Sequence, residues 1–293
     1  MPPDRGGEAV GSDLTRAEKG AGLPARHPLF AFVYAVPIAL LGGLMGLGGA
    51  EFRLPVLAGP LRYPARQAVP LNLAVSLVTV AVALETRGRT LSLLPVAPLF
   101  PAVFSLIAGA VVAAFFGTAL AGRLSDERLE RIILGLLLFI GAALIVEGFL
   151  PHGIGGLLPP LIPVWIVAGV VFGLGIGLVS SLLGVAGGEL IIPTLVFAFG
   201  ADIKTAGTAS LLVSLPTVVV GITRYARRGA YAERADLVET VAPMGIGSVL
   251  GAVAGGMLVG LVPQSALKVG LGLILIVSAL RIFHRGKHPS MPV

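Results

Sequence analysis

Glu51 and Glu189 stand in surroundings that demand a chemical explanation. Each lies in a long apolar run beside adjacent small residues, with a proline four positions later. The two stretches are Gly46-Leu47-Gly48-Gly49-Ala50-Glu51-Phe52-Arg53-Leu54-Pro55 and Gly184-Val185-Ala186-Gly187-Gly188-Glu189-Leu190-Ile191-Ile192-Pro193, 138 positions apart. An ionised carboxylate in hydrocarbon is strongly disfavoured, so each must be paired or hold a proton. Two roles fit: proton coupling during transport, or capping of a helix start. Gly48, Gly49, Gly187 and Gly188 point to anion binding instead. A helix broken at glycine exposes N–H groups and a positive dipole end, and lets a ligand approach the backbone. Arg53 adds a guanidinium whose forked donors suit a sulfite, sulfonate or carboxylate, or which pairs with Glu51 or a carbonyl. Ile191 takes its place in the second copy.

Downstream of each stretch lies a polar helical face. Asn72, Ser76 and Thr79 are spaced i, i+4, i+7, and Ser210, Ser214 and Thr217 match them in the second copy. These side chains either supply further donors to an anion or let helices pack closely. Arg66 and Lys204 match each other and read as interface anchors. Glu147, His152, His284 and His288 read as solvated.

The elements that must hold these residues are membrane helices. Hydrophobic residues make up 56% of the chain and charged residues only 12%, against about 25% charged in soluble domains. Mean hydropathy is +0.96. Several apolar runs reach about 20 residues, enough to cross a bilayer core as helix. The net charge of +6 comes from basic residues clustered in short loops, which fits a positive-inside bias and not nucleic-acid binding. With no cysteine, disulfides, thiolate metal sites and cysteine catalysis are excluded. No His lies near a Ser or Asp in the apolar runs, and no metal-ligand cluster exists, so no enzyme, metal or cofactor is expected.

The expected organisation is all-α and polytopic, about eight transmembrane helices as two tandem four-helix repeats broken at the glycine-rich motifs. A disordered tail covers residues 1–27, the first repeat 28–150, a Gly/Pro-rich linker 151–163, the second repeat 164–283 and a C-terminal tail 284–293. Ser125, with Asp126 and Glu127 after it, reads as a helix N-cap in the loop Arg123 to Arg131. The first apolar run, Phe30 to Pro60, is too long for one crossing and must break at Gly46 to Gly49. The repeat register holds from Gly46/Gly184 to Leu129/Leu267. If each broken run crosses once, the repeats are parallel and Arg87, Arg89 and both termini share the cytoplasmic side. If the broken pieces are re-entrant, the repeats are inverted.

Internal repeats with interrupted helices at matching positions point to a transporter with its site near the midplane. The paired Gly-Gly-Glu-x-x-x-Pro-type stretches, with Asp202-Ile203-Lys204-Thr205-Ala206-Gly207-Thr208-Ala209-Ser210 after the second, resemble the sulfite exporter TauE/SafE family. The resemblance spans about Phe30 to Ile282. The first copy departs from the pattern at Ala50, where the second has Gly188, and at Arg53. The resemblance implies an eight-helix carrier of sulfur-containing anions and organosulfonates. The expected substrate site is Gly48, Gly49, Arg53, Asn72, Ser76, Gly187, Gly188, Ser210 and Ser214, with Glu51 and Glu189 as proton-coupling or capping groups. Expected partners are a small anion, the lipid bilayer, and protons or sodium as coupling ion. Nucleic acid is not expected, and the oligomeric state is left open. The expected location is a bacterial inner membrane. The chain lacks a G-x-x-x-x-G-K-[ST] phosphate loop, so any drive must come from ion gradients or from a partner. An anion channel using the same breaks, or a carrier of other small carboxylates, is the alternative.

Overall fold

The computed structural model describes residues 26–121, 138–139, 141–146, 148–149, 155–183 and 187–286. The tail up to residue 25, the loop with Ser125, and Glu147, His152 and His288 lie outside them. Among the described residues there is no strand, and six helices are long and apolar enough to cross a membrane. The all-α, polytopic expectation is met.

The chain forms α1 (Pro28–Met45), α2 (Ala50–Ala58), α3 (Ala65–Thr90), a 3-10 turn (Leu94–Leu99) and α4 (Phe100–Ala121). The second half follows with α5 (Ile162–Leu183), α6 (Gly188–Phe197), α7 (Ile203–Arg227), α8 (Arg234–Leu258) and α9 (Gln264–Gly286). With the shift of 138, α1 falls on α5, α2 on α6, α3 on α7 and α4 on α8. The duplication read from the residues is thus repeated in the elements. One turn of α8, Leu237–Val241, is π-helical.

The first break is a turn and not a kink. Helix α1 ends where the N–H groups of Gly46 and Leu47 donate to the Gly42 carbonyl. Gly46 is left-handed at φ 86°, a conformation that a side chain disfavours. After it α2 runs back along α1. Gly49 lies beside Ile38, and Leu57 and Leu61 pack into one cluster with Ala31 and Ala35. Helix α6 returns along α5 in the same way, and Leu157 and Leu158 donate to the carbonyls of Phe197 and Ala198 at 2.9 and 3.0 Å.

Two groups of contacts fix the faces of the molecule. On one face Arg26, just before α1, and Tyr63, just after α2, both bond Asp236 at the start of α8. On the other, Arg87 near the end of α3 bonds the carbonyls of Gly43 and Leu44 in α1 and of Lys204 in α7. Thr90 bonds the Gly256 carbonyl of α8 on that face. Helix α3 therefore leaves the Arg26 face and α7 leaves the Arg87 face. The repeats are inverted. The parallel arrangement fails because each short helix turns back along the helix before it. Arg87 and Arg89 accordingly lie opposite Arg26, Arg227 and Arg228, and do not share a side with them.

The halves interlock through glycine. Helix α8 of the second half lies on α1 of the first, with Gly247, Gly251 and Gly255 against the carbonyls of Phe32, Val36 and Leu40. Helix α4 lies on α5 in the matching way, Gly109 against the Val170 carbonyl and Gly173 against that of Leu106. A Cβ at any of these glycines would strike backbone, so the helices approach as closely as small residues allow.

Candidate functional site

The reversal at each break places a short helix N-terminus at the depth of the middle of α3 or α7. Gly49 and Gly187 precede α2 and α6 as left-handed N-caps, at φ 70° and 78°. Neither can offer a side chain to the helix start. The opening N–H groups of a helix have no carbonyl a turn behind them, so the positive end of each dipole stays available.

The two breaks touch. Leu47, in the first, lies against Gly188, where an added Cβ would come within 3.1 Å of the leucine side chain. Gly46 abuts the backbone of Gly207 in α7 with no room for a Cβ on either. The first break is therefore brought against the start of α6 and against α7, with Gly49 beside Ile38 and Gly187 beside Ile176 at matching positions.

The first half-site is filled by Arg53. Its guanidinium is fully buried and donates to Ser76 Oγ at 2.9 Å, Thr79 Oγ1 at 2.9 Å, Asn72 Oδ1 at 3.2 Å and the Gly48 carbonyl at 3.2 Å. Asn72 in turn donates from Nδ2 to the Ala50 carbonyl at 3.1 Å. One cation thus ties the break, α2 and the face of α3 into a single network. Hydrogen bonds to a charged group contribute about 1.5–3 kcal/mol each. Arg53 bonds carbonyl and hydroxyl oxygens, not the Glu51 carboxylate. Glu51 follows Ala50 in the first turn, and both its oxygens are buried without a hydrogen-bond partner.

The second half-site differs at several matching positions, among them Ile191 for Arg53, Ser210 for Asn72, Gly188 for Ala50 and Ala186 for Gly48. Ser210 and Ser214 are buried. Ser210 Oγ has no partner and lies 3.3 Å from where a Gly188 Cβ would stand, so it faces the start of α6. Thr217 turns its hydroxyl to the Val213 and Ser214 carbonyls. Glu189 is buried in the first turn of α6. Lys204 reaches the Gly260 carbonyl at the exposed end of α7, and the side chain of Arg66 lies outside what the structure describes.

A scan against protein-family models matches one described as Sulfite exporter TauE/SafE, over residues 14–144 and 169–292. The chain belongs to the TauE/SafE family. Both matched stretches contain a helix break and its polar helix, so the TauE/SafE pattern is present twice, as the repeat is. Membership implies a membrane transporter of sulfite or related anions. No curated protein and no solved structure matches the chain.

Two features of this TauE/SafE chain escaped the sequence. Arg87 reads there as a loop charge, yet it is fully buried and binds the last carbonyls of α1 and Thr208 of α7. The signal available was the glycine opposite: Gly207 has only hydrogen where the Arg87 guanidinium passes. The second feature is a latch on the Arg26 face. Asp236 accepts from Arg26 Nε and Tyr63 OH, both at 3.1 Å, and Tyr63 also meets Thr240 at 2.8 Å. Burial pushes the Tyr63 phenol above its ordinary range, so it stays a donor. Nothing local marks these residues, because α1, the α2–α3 loop and α8 are far apart in the chain.

Proposed function

We propose that this protein is a secondary transporter of small anions, sulfite or an organosulfonate, that binds its cargo where the two helix breaks meet. The observation behind the reading is the contact of Leu47 with Gly188, which joins two helix N-termini at mid-depth within one inverted-repeat fold. Dipole ends that face a shared space attract negative charge and repel cations. Inverted repeats around a midplane site are the architecture of alternating-access carriers, in which one part rocks against another.

In the reaction cycle the interlocked pairs α1–α8 and α4–α5 move as rigid bodies against the α3–α7 core. The latch joining Arg26, Tyr63 and Asp236 closes the Arg26 face in the conformation described. The matching contacts on the other face are apolar, with Trp165 edge-on to Phe199 at 5.6 Å. Glu51 takes up and releases the coupling proton, supported by its two buried oxygens without partners. Both termini face the cytoplasm of a bacterial inner membrane, in keeping with the basic residues Arg62, Arg227, Arg228 and Arg234 on the Arg26 face.

Reconstitution in proteoliposomes tests the proposal. Labelled sulfite or methanesulfonate should cross in a saturable manner and respond to a pH gradient. Absence of flux under both proton and sodium gradients would overturn it. Large single-channel currents would favour a channel built on the same breaks.

A further inference from the structure

The two half-sites are matched in backbone but not in content, and the difference says where the anion sits. We infer that the cargo seat belongs to the second repeat alone, between the N-terminus of α6 and the hydroxyl of Ser210, and that it selects monoanions. This rests on the proposed transport of small anions and names the seat within that site.

In the first repeat the space between the short helix and the polar face is taken by the Arg53 guanidinium, whose terminal nitrogens bond Gly48, Asn72, Ser76 and Thr79. Those groups are committed to one another, and an anion entering there would have to break a buried network. In the second repeat three of the exchanges remove volume, arginine to Ile191, asparagine to Ser210 and alanine to Gly188, while Gly48 is matched by Ala186. The polar atom left behind, Ser210 Oγ, is fully buried and has no partner. A buried hydroxyl without a partner is costly, and this one faces a helix N-terminus. The two observations are independent and point to the same ligand, an acceptor-bearing anion. Leu47 provides an apolar wall next to the polar end, which suits a compact oxyanion head with a short carbon substituent.

Charge sets the selectivity. The seat has a dipole end, worth about half an elementary charge, and a neutral hydroxyl, and the acidic Glu189 is buried in the first turn of the same helix. No arginine or lysine of the second repeat stands at the Arg53 position. One negative charge can be desolvated against such donors. A second charge would go unbalanced in a low-dielectric site. Bisulfite, sulfonates and monocarboxylates fit; sulfate and hydrogen phosphate dianions do not.

The test uses the purified full-length protein in detergent, with methanesulfonate, bisulfite and sulfate as probes. Thermal shift and calorimetry should show binding of methanesulfonate and bisulfite, and at least tenfold weaker binding of sulfate. Ser210→Ala should weaken methanesulfonate about tenfold with little change in the unliganded melting temperature. Gly188→Ala should weaken it also, because its methyl group enters the seat. Arg53→Lys should lower the melting temperature yet leave methanesulfonate affinity within about threefold. If Arg53→Lys loses the anion while Ser210→Ala keeps it, the seat is in the first repeat and the inference falls, but transport stands. Equal binding of sulfate and methanesulfonate would overturn the monoanion selectivity. If none of the probes binds, the inference and the proposed function fall together.

Discussion

At the scale of single residues, Arg53 and Glu51 divide the work that the sequence left shared between them. Arg53 is a strut. Replacing it with methionine strands Asn72, Ser76 and Thr79 in a buried site, at a cost of about 3 kcal/mol or more. Arg53→Met should therefore melt well below the wild type, and the protein that remains folded should still bind anion. Retained stability with lost binding would make the guanidinium a ligand. For Glu51, whose carboxylate oxygens have no hydrogen-bond partner, the proposed role is proton coupling: Glu51→Gln should keep the melting temperature and anion affinity, while flux loses its dependence on a pH gradient. Persisting pH dependence would assign coupling elsewhere. The paired glutamates, the glycines and the polar faces were all legible, because repetition of an expensive residue in an apolar run is visible without coordinates. The roles of Arg53 and Arg87 were not. A guanidinium binds whatever oxygens the fold brings to it, and those come from α1, α3 and α7.

At the scale of elements, the segments could be read from apolar length and the repeat register, and the breaks from glycine. The direction of α2 and α6 could not. Whether a broken helix goes on or turns back depends on a few dihedrals at Gly46 to Gly49, where Gly46 and Gly49 are left-handed. The partner of each helix was equally hidden: α1 packs on α8 and not mainly on its own repeat. The glycines at the α1–α8 seam give this a direct test. Gly251→Leu would drive a side chain into the Val36 carbonyl, an overpacking worth about 3 kcal/mol. It should sharply reduce the yield of folded protein, whereas Gly229→Ala, in an open loop, should cost little beyond the strain of its left-handed backbone. Comparable yields for the two variants would argue against the seam.

At the scale of the whole molecule, inversion makes a prediction that the absence of cysteine renders easy to check. Single cysteines at Pro60, Arg228 and Leu94, all exposed, should label with a membrane-impermeant maleimide from defined faces. Inversion puts residues 60 and 228 on one face and 94 on the other; parallel repeats would put 94 with 228 and 60 opposite. The interlock has a further consequence, for the order in which the protein can be made. Helix α1 emerges from the ribosome about 200 residues before Gly247, Gly251 and Gly255 of α8 exist to receive it. At 5–20 residues per second that is a wait of roughly 10–40 s. During that time the α1 surface destined for α8 faces lipid or an insertion factor, whereas the α4–α5 seam can close as soon as the first helix of the second repeat is threaded. Each half of this chain is thus incomplete in the bilayer until the other arrives, and membrane insertion must hold the first half open for the second.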